Sequence, residues 1–294
     1  MTTLQTDPRT TPASRAAPAG RWLNFLGVDY WHRVTADGGD LYLTRHGLPF
    51  HQQLDPSHWH GTGWFDARRQ RLPGTSVIYR VPTRPVAGRA LDLVVRYSRV
   101  GERVPAETQT LCGQTAAEFN SPFEEFAVVQ ALRQAPSGPG RPRLLTKRPL
   151  AIYSPAELME PWQSGRLPSL MDAKRARHPE LPLDIRRPYL LLYGWIKGMN
   201  ALEAARRLYP PGAEQEAFLA GLTRRAIGEL AAHGFRMLDI KPQHILVRLA
   251  PDGTLLCRRG RLAGALVDYE LLQRIPHWDG PGGAGGPGLE EKPS

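Results

Sequence analysis

The chain has 294 residues, 41% of them hydrophobic and 22% charged, enough for one large domain or for two lobes sharing a cleft. No apolar run reaches the length of a membrane span. The two cysteines, Cys112 and Cys257, are too few for a disulfide framework or a zinc knuckle, which points to a reducing cytoplasm. The formal net charge of +10 is carried mostly by arginine, since lysine stands only at positions 147, 174, 197, 241 and 292. Such a balance favours anionic partners: nucleotide phosphates, acidic proteins, nucleic acid or a membrane surface.

Residues 1–21 are rich in Thr, Pro, Ala and Arg, have no apolar core behind their charges, and read as a disordered leader rather than a secretory signal. From 22 to about 133 short β-like runs alternate with turns, and the branched and aromatic residues of 76–81 and 91–97 make the clearest strands. A helix follows. Asn120-Ser121-Pro122 is its start signal, and Phe123, Phe126, Val129 and Leu132 form an apolar stripe at helical spacing. Residues 144–153 read as a strand pair broken at Pro149, and 154–188 as a basic, proline-containing insertion with a short helix around MDAKRARHPELP. The continuous apolar run YLLLYGW (189–195) suits a buried strand leading from a small lobe into a large one. Residues 213–233 predict a long helix with Phe218, Leu219, Leu222, Ala226, Ile227 and Leu230 on one face and Gly234 at its C-cap. Beyond it, 245–249 and 254–258 flank Pro251-Asp252-Gly253 as a hairpin, and 263–267 form a last strand that delivers Asp268. The end, from about His277, is a flexible Gly/Pro tail. The expected organisation is therefore a leader (1–21), a β-rich part with one helix and a basic insertion (22–188), a shorter part (189–276) and the tail (277–294).

Chemistry concentrates after the long helix. The stretch Leu238-Asp239-Ile240-Lys241-Pro242-Gln243-His244-Ile245-Leu246-Val247, with Leu266-Val267-Asp268-Tyr269-Glu270 further on, resembles the catalytic loop and metal-binding triplet of the protein-kinase-like superfamily, which read D-x-K-P-x-N-I-L and D-F-G. Phosphoryl transfer needs one carboxylate to orient the attacking hydroxyl, a second to hold the metal that bridges the phosphates, and a positive charge at the transferring group. The resemblance assigns these parts to Asp239, Asp268 and Lys241. It places Arg96 where the family has its strand lysine, Glu125 where it has the helix glutamate that pairs with that lysine, and Gly74, in LPGTSV, where a glycine-rich phosphate loop belongs. His244 stands at the metal-binding asparagine. An amide oxygen suits magnesium and an imidazole suits transition metals, so of Mg2+ or Mn2+ either the second metal is lost, or Mn2+ is preferred, or His244 is only structural.

The chain departs from the pattern in several places. Met237 and Leu238 replace the histidine and arginine before the catalytic aspartate, leaving the nearby His233 as a scaffolding candidate. Glu270 replaces the glycine of the triplet and removes backbone freedom. Arg96 replaces a lysine with a bulkier, forked cation. Few residues follow Asp268, which leaves no platform for a peptide substrate. Two further signals are non-specific: His51, His58 and His60 around Trp59, and the KRARH run 174–178, which reads as a solvated face.

The expected fold is α+β and bilobal, kinase-like, with a β-rich N-lobe and a shortened, mainly helical C-lobe. The expected function is ATP-dependent phosphoryl transfer to an acidic protein, a small molecule or the chain itself, with Asp239 and Lys241 catalytic, Arg96, Glu125 and Gly74 around the nucleotide, and Asp268 and His244 at the metal. The alternative is a pseudokinase: a nucleotide-binding or scaffold module without turnover. A third reading, nucleic-acid binding, lacks the interleaved aromatic and basic residues it would need.

Overall fold

The computed structural model describes residues 19–61, 63–74, 76–106, 108, 117–136, 145–258 and 261–276. Most of the expected leader, the Gly/Pro tail, Thr75 and Cys112 lie outside the described residues; Arg21, assigned above to the leader, already belongs to the first strand.

The fold is α+β and built on one large antiparallel sheet. Its strands are β1 (Arg21–Phe25), β2 (Val28–Val34), β3 (Asp40–Thr44), β4 (Gln70–Arg71), β5 (Ile78–Pro82), β6 (Asp92–Tyr97), β7 (Pro149–Ser154) and β8 (Leu190–Gly194), in the spatial order β1-β2-β3-β7-β8-β6-β5-β4. The expected strand pair at 144–153 is a single strand. Pro149 opens it, where a missing N–H costs no ladder bond, and the register shifts between Pro149 and Ala151.

The unbroken apolar run of β8 is explained by burial on both faces. Successive side chains of a strand point to opposite sides. Accordingly Leu191 and Tyr193 enter one apolar cluster while Leu190 and Leu192 enter another. The first face is covered by α2 (Pro122–Gln134), which follows α1 (Trp64–Arg68). Phe123, Phe126, Val129 and Leu132 of α2 are buried there, as their spacing predicts. Ser121 caps this helix: its hydroxyl accepts from the Glu124 N–H while the Glu124 carboxylate accepts from the Ser121 N–H. The second face is covered by Leu54 and Trp59 from the segment between β3 and α1 and by Phe65 of α1. Trp59, beside which the sequence clusters three histidines, is thus a core residue. His60 packs on Trp59, Phe65 and Tyr153, and burial holds its imidazole pKa below the usual value.

Within the basic insertion lie α3 (Pro161–Ser164) and α4 (Pro168–Arg177). The KRARH run is a solvated face only in part: Arg177 is exposed, but Lys174 is buried and bound to Glu124 at 2.8 Å and Glu118 at 3.6 Å.

After β8 come β9 (Met199–Asn200), α5 (Ala201–Leu208), α6 (Ala213–Ala232), β10 (Phe235–Met237), β11 (Ile245–Val247), β12 (Cys257–Arg258), β13 (Arg261–Leu262), β14 (Ala265–Leu266) and β15 (Leu272–Arg274). Leu222, Ala226 and Leu230 of α6 are buried, but Ile227 is 48% exposed and does not belong to that face. Gly234 ends the helix at φ +79°, its N–H donating to the Ala231 carbonyl, a backbone conformation in which a Cβ is strained. The turn at Pro251-Asp252-Gly253 forms as expected. The flanking segments meet only at a Leu249–Leu255 bridge, because β11 is taken by β9 and β14 instead. The larger apolar cluster runs from Phe25 to Leu272, so the core is continuous from the sheet to the last strand. Among the described residues no helix is long and apolar enough to cross a membrane.

Candidate functional site

Two short ladders hold the two aspartate loops against each other. At one end β10 pairs with β15, Met237 opposite Leu272, and the Leu238 N–H donates to the Leu271 carbonyl at 3.2 Å. At the other end β11 pairs with β14, Ile245 opposite Leu266, and the Val267 N–H donates to the His244 carbonyl at 3.1 Å. Residues 238–244 and 267–271 are therefore clamped side by side. Asn120 at the head of α2 fastens the second loop further: its amide donates to the Tyr269 and Leu272 carbonyls at 3.1 and 2.9 Å, and its backbone N–H to the Glu270 carbonyl at 2.9 Å.

Asp239 and Lys241 form an ion pair at 2.8 Å, with Lys241 43% exposed. His244, on the turn Pro242–His244, brings Nε2 to 3.4 Å from an Asp268 oxygen, while its Nδ1 is buried without a partner. Asp268 keeps 21% of its side chain exposed. Burial pushes its carboxyl pKa up, but the charges of His244, Arg96 and Lys147 and the Glu270 N–H outweigh burial and hold it below the usual range. It is thus a carboxylate, the form in which a metal is held. His233 is buried and its Nδ1 lies 2.8 Å from the Glu229 carbonyl, so it closes its own helix rather than reaching Asp239.

Arg96 is where sheet parity puts it. It falls on the same side of the sheet as Val94, which joins the cluster under α2, and its guanidinium pairs there with Glu125. The same guanidinium donates to Glu270 at 2.7 Å. Glu270 also accepts from the Ser76 hydroxyl at 2.9 Å and lies 3.5 Å from Arg99. Burial and the Asp268 charge raise the Glu270 pKa, while Arg96, Arg99 and Ser76 oppose the rise. Tyr193 donates its hydroxyl to the other oxygen of Glu125. Arg96 is only 3% exposed and has a carboxylate on each side. The Glu270 that the sequence marks as a departure is therefore the second anchor of Arg96.

The 72–77 loop is the tip between β4 and β5, closed by the Leu72 N–H donating to the Ile78 carbonyl at 3.0 Å. Gly74 is exposed there at φ +144° with open space around it, and Ser76 from the same tip reaches Glu270. The loop accordingly leans over the Asp268–Glu270 segment.

Lys147 belongs to this constellation, and nothing in its sequence context marked it. It sits just before β7, and its backbone N–H donates to the Tyr269 hydroxyl at 2.7 Å. Its ammonium lies 5.2 Å from the Tyr193 ring centre and 5.8 Å from that of Tyr269. Burial pushes its pKa down to about 7, against the pull of the Asp268 charge. The signal available in the sequence was the rarity of lysine in an arginine-rich chain.

Magnesium is commonly bound through one or two carboxylates plus substrate phosphates, and Asp268 supplies one such oxygen donor. Among the described residues no group of three or more His, Cys, Asp or Glu side chains gathers to form an all-protein metal cage. The donor set therefore fits a metal shared with a phosphate ligand, with the His244 nitrogen as the additional donor. Two surface concavities lie outside these loops, one lined by Leu145, Leu222, Ala226 and Ile245, the other by Gly198, Arg207, Arg248 and Pro251; neither includes Asp239 or Asp268. Compared with known proteins, the chain matches no family model, and no curated protein is significantly similar to it.

Proposed function

We propose that the chain is a kinase-like phosphotransferase that binds ATP with a divalent metal between its large sheet and the two aspartate loops. The observation that carries this reading is the Arg96–Glu125 pair: a strand cation and a helix glutamate 29 residues apart, joined beside the aspartate loop as the resemblance requires. The juxtaposition of 238–244 with 267–271 supports it as well. In this reading Asp239 orients the acceptor hydroxyl and receives its proton. Lys241, already paired with Asp239, offsets charge on the transferred phosphoryl group. Asp268 would hold the metal, which would supply Lewis-acid neutralisation of the phosphate oxygens. The Gly74 tip covers the nucleotide, and Glu125 fixes α2 through Arg96. The acceptor is a small molecule, an acidic protein or the chain itself.

A second reading is favoured by one specific observation. Arg96 is held between Glu125 and Glu270 and has little surface left for phosphate. That arrangement suits a pseudokinase, which keeps the nucleotide and loses turnover.

The deciding experiment is a thermal-shift titration with ATP in the absence of metal, with Mg2+ and with Mn2+, on wild type and Asp268→Ala. Metal-dependent stabilisation that disappears in Asp268→Ala is the expected result, and its absence under every condition overturns the nucleotide reading. ADP release that vanishes in Asp239→Asn then assigns turnover, whereas nucleotide binding without ADP release in wild type assigns the pseudokinase.

A further inference from the structure

We propose that Lys147, rather than Arg96, is the cation that meets the nucleotide's outer phosphates beside Asp268. This rests on the nucleotide-binding reading above and names a phosphate-contacting residue within that site. Arg96 is committed: one terminal nitrogen serves Glu125, the other serves Glu270, and the side chain is nearly sealed. A guanidinium so engaged is a fastener between strand, helix and the Asp268 loop. To reach phosphate it would have to abandon a buried carboxylate, which is costly.

Lys147 differs from the other described lysines. Lys174 is buried with two carboxylates, Lys241 is half-buried and paired with Asp239, and Lys197 is exposed. Lys147 is 5% exposed and, among the described residues, has no carboxylate within ion-pairing distance. A buried ammonium without a counter-charge is unfavourable and needs an explanation. The Tyr193 and Tyr269 ring faces compensate it in part. A ligand anion would complete the compensation, and the position fits one: Lys147 is tied through its backbone to Tyr269, the residue next to Asp268.

An Asp268-held metal and the Lys147 ammonium would then grip the same polyphosphate from two sides. The chemistry selects a nucleoside di- or triphosphate over a monophosphate, because the cation addresses charge beyond the first phosphate. Tyr193 links the two cations, since its ring lies against Lys147 and its hydroxyl donates to Glu125. Deleting Arg96 would therefore loosen the site indirectly, whereas deleting the Lys147 charge would remove a ligand contact directly.

The test uses the full chain. Wild-type protein is acetylated briefly with acetic anhydride, without nucleotide, with AMP and with ATP plus Mg2+, and each lysine is quantified by peptide mass spectrometry. ATP with Mg2+ is expected to protect Lys147 severalfold and AMP to protect it little, with Lys197 unchanged throughout. In parallel, Lys147→Met, which keeps an apolar stem between the tyrosines, is expected to weaken ATP binding about 10- to 100-fold, the range for losing a charged hydrogen bond, while AMP affinity is kept. Loss of both ATP and AMP affinity in a folded variant would argue for a merely structural lysine and overturn the proposal. So would full ATP affinity in Lys147→Met with unprotected Lys147 in wild type. If Asp268→Ala abolishes ATP binding while Lys147→Met keeps it, this proposal alone falls. If wild type binds no nucleotide, it falls together with the reading it rests on.

Discussion

Replacing Arg96 with methionine tests whether the guanidinium is a structural fastener. The substitution preserves much of the apolar stem but leaves the Glu125 and Glu270 carboxylates buried without their shared cation; Glu125 is only 1% exposed. Stranding one member of a buried ion pair typically costs about 3–5 kcal/mol, and two stranded carboxylates put Arg96→Met at the upper end of that range. Glu270 already has a raised pKa, because burial and the Asp268 charge outweigh its cations. Without Arg96 it rises further. A carboxyl whose folded pKa exceeds its unfolded value stabilises the fold below the unfolded value and loses that contribution as pH rises through the folded one. The variant should therefore lose more stability at neutral pH than near pH 5. Urea denaturation followed by tryptophan fluorescence at both pH values, without nucleotide, measures this. Adding Glu125→Gln and Glu270→Gln to Arg96→Met should recover most of the loss, since neutral groups need no counter-charge. A cost below about 1 kcal/mol for Arg96→Met, independent of pH, would refute the fastener role.

Lys147 gives a pH dependence of the opposite sign. Its folded pKa of about 7 lies below the unfolded value, so the unfolded chain binds more protons above pH 7. Stability should rise from pH 7 towards pH 9.5 by at most ~1.4 kcal/mol per pH unit, and Lys147→Met should be more stable at pH 7 with a flatter profile; parallel profiles would contradict the buried charge. Ser121→Ala removes the hydroxyl half of the capping box at the start of α2 and should cost about 1 kcal/mol, seen as a lower melting temperature. If His244 ligates metal, Mn2+ should support nucleotide binding better than Mg2+, and His244→Asn should move the preference towards Mg2+; identical behaviour of both metals in both proteins would leave His244 a structural residue only.

Local signals in the sequence identify a good part of the molecule. Residues at helical spacing put Phe123, Phe126, Val129 and Leu132 inside because an amphipathic stripe has a single stable orientation, and Ser121-Pro122 marks where that helix begins because its first N–H groups need an acceptor. Gly234 is legible as a helix end for a similarly local reason. Ile227 shows the limit, since the stripe on α6 is broader than the surface that covers it. The hairpin at Pro251-Asp252-Gly253 shows it again: the turn is a local preference, whereas the partner of β11 is decided by which strands arrive beside it.

What the sequence by itself determined is the set of polar residues that can carry chemistry, because motif spacing depends only on neighbours along the chain; the pairing of Arg96 with Glu125 is what the resemblance implies, and the fold brings the two together. What only the tertiary structure decided is how those charges are shared. Glu270 reads as a lost glycine until the loop carrying it lies under Arg96, Arg99 and Ser76. Lys147 reads as one lysine in a basic chain until Tyr193, Tyr269 and Asp268, all more than forty residues away, close around it. Counter-charge and desolvation act through space, and the distances that set them do not exist until the chain has folded.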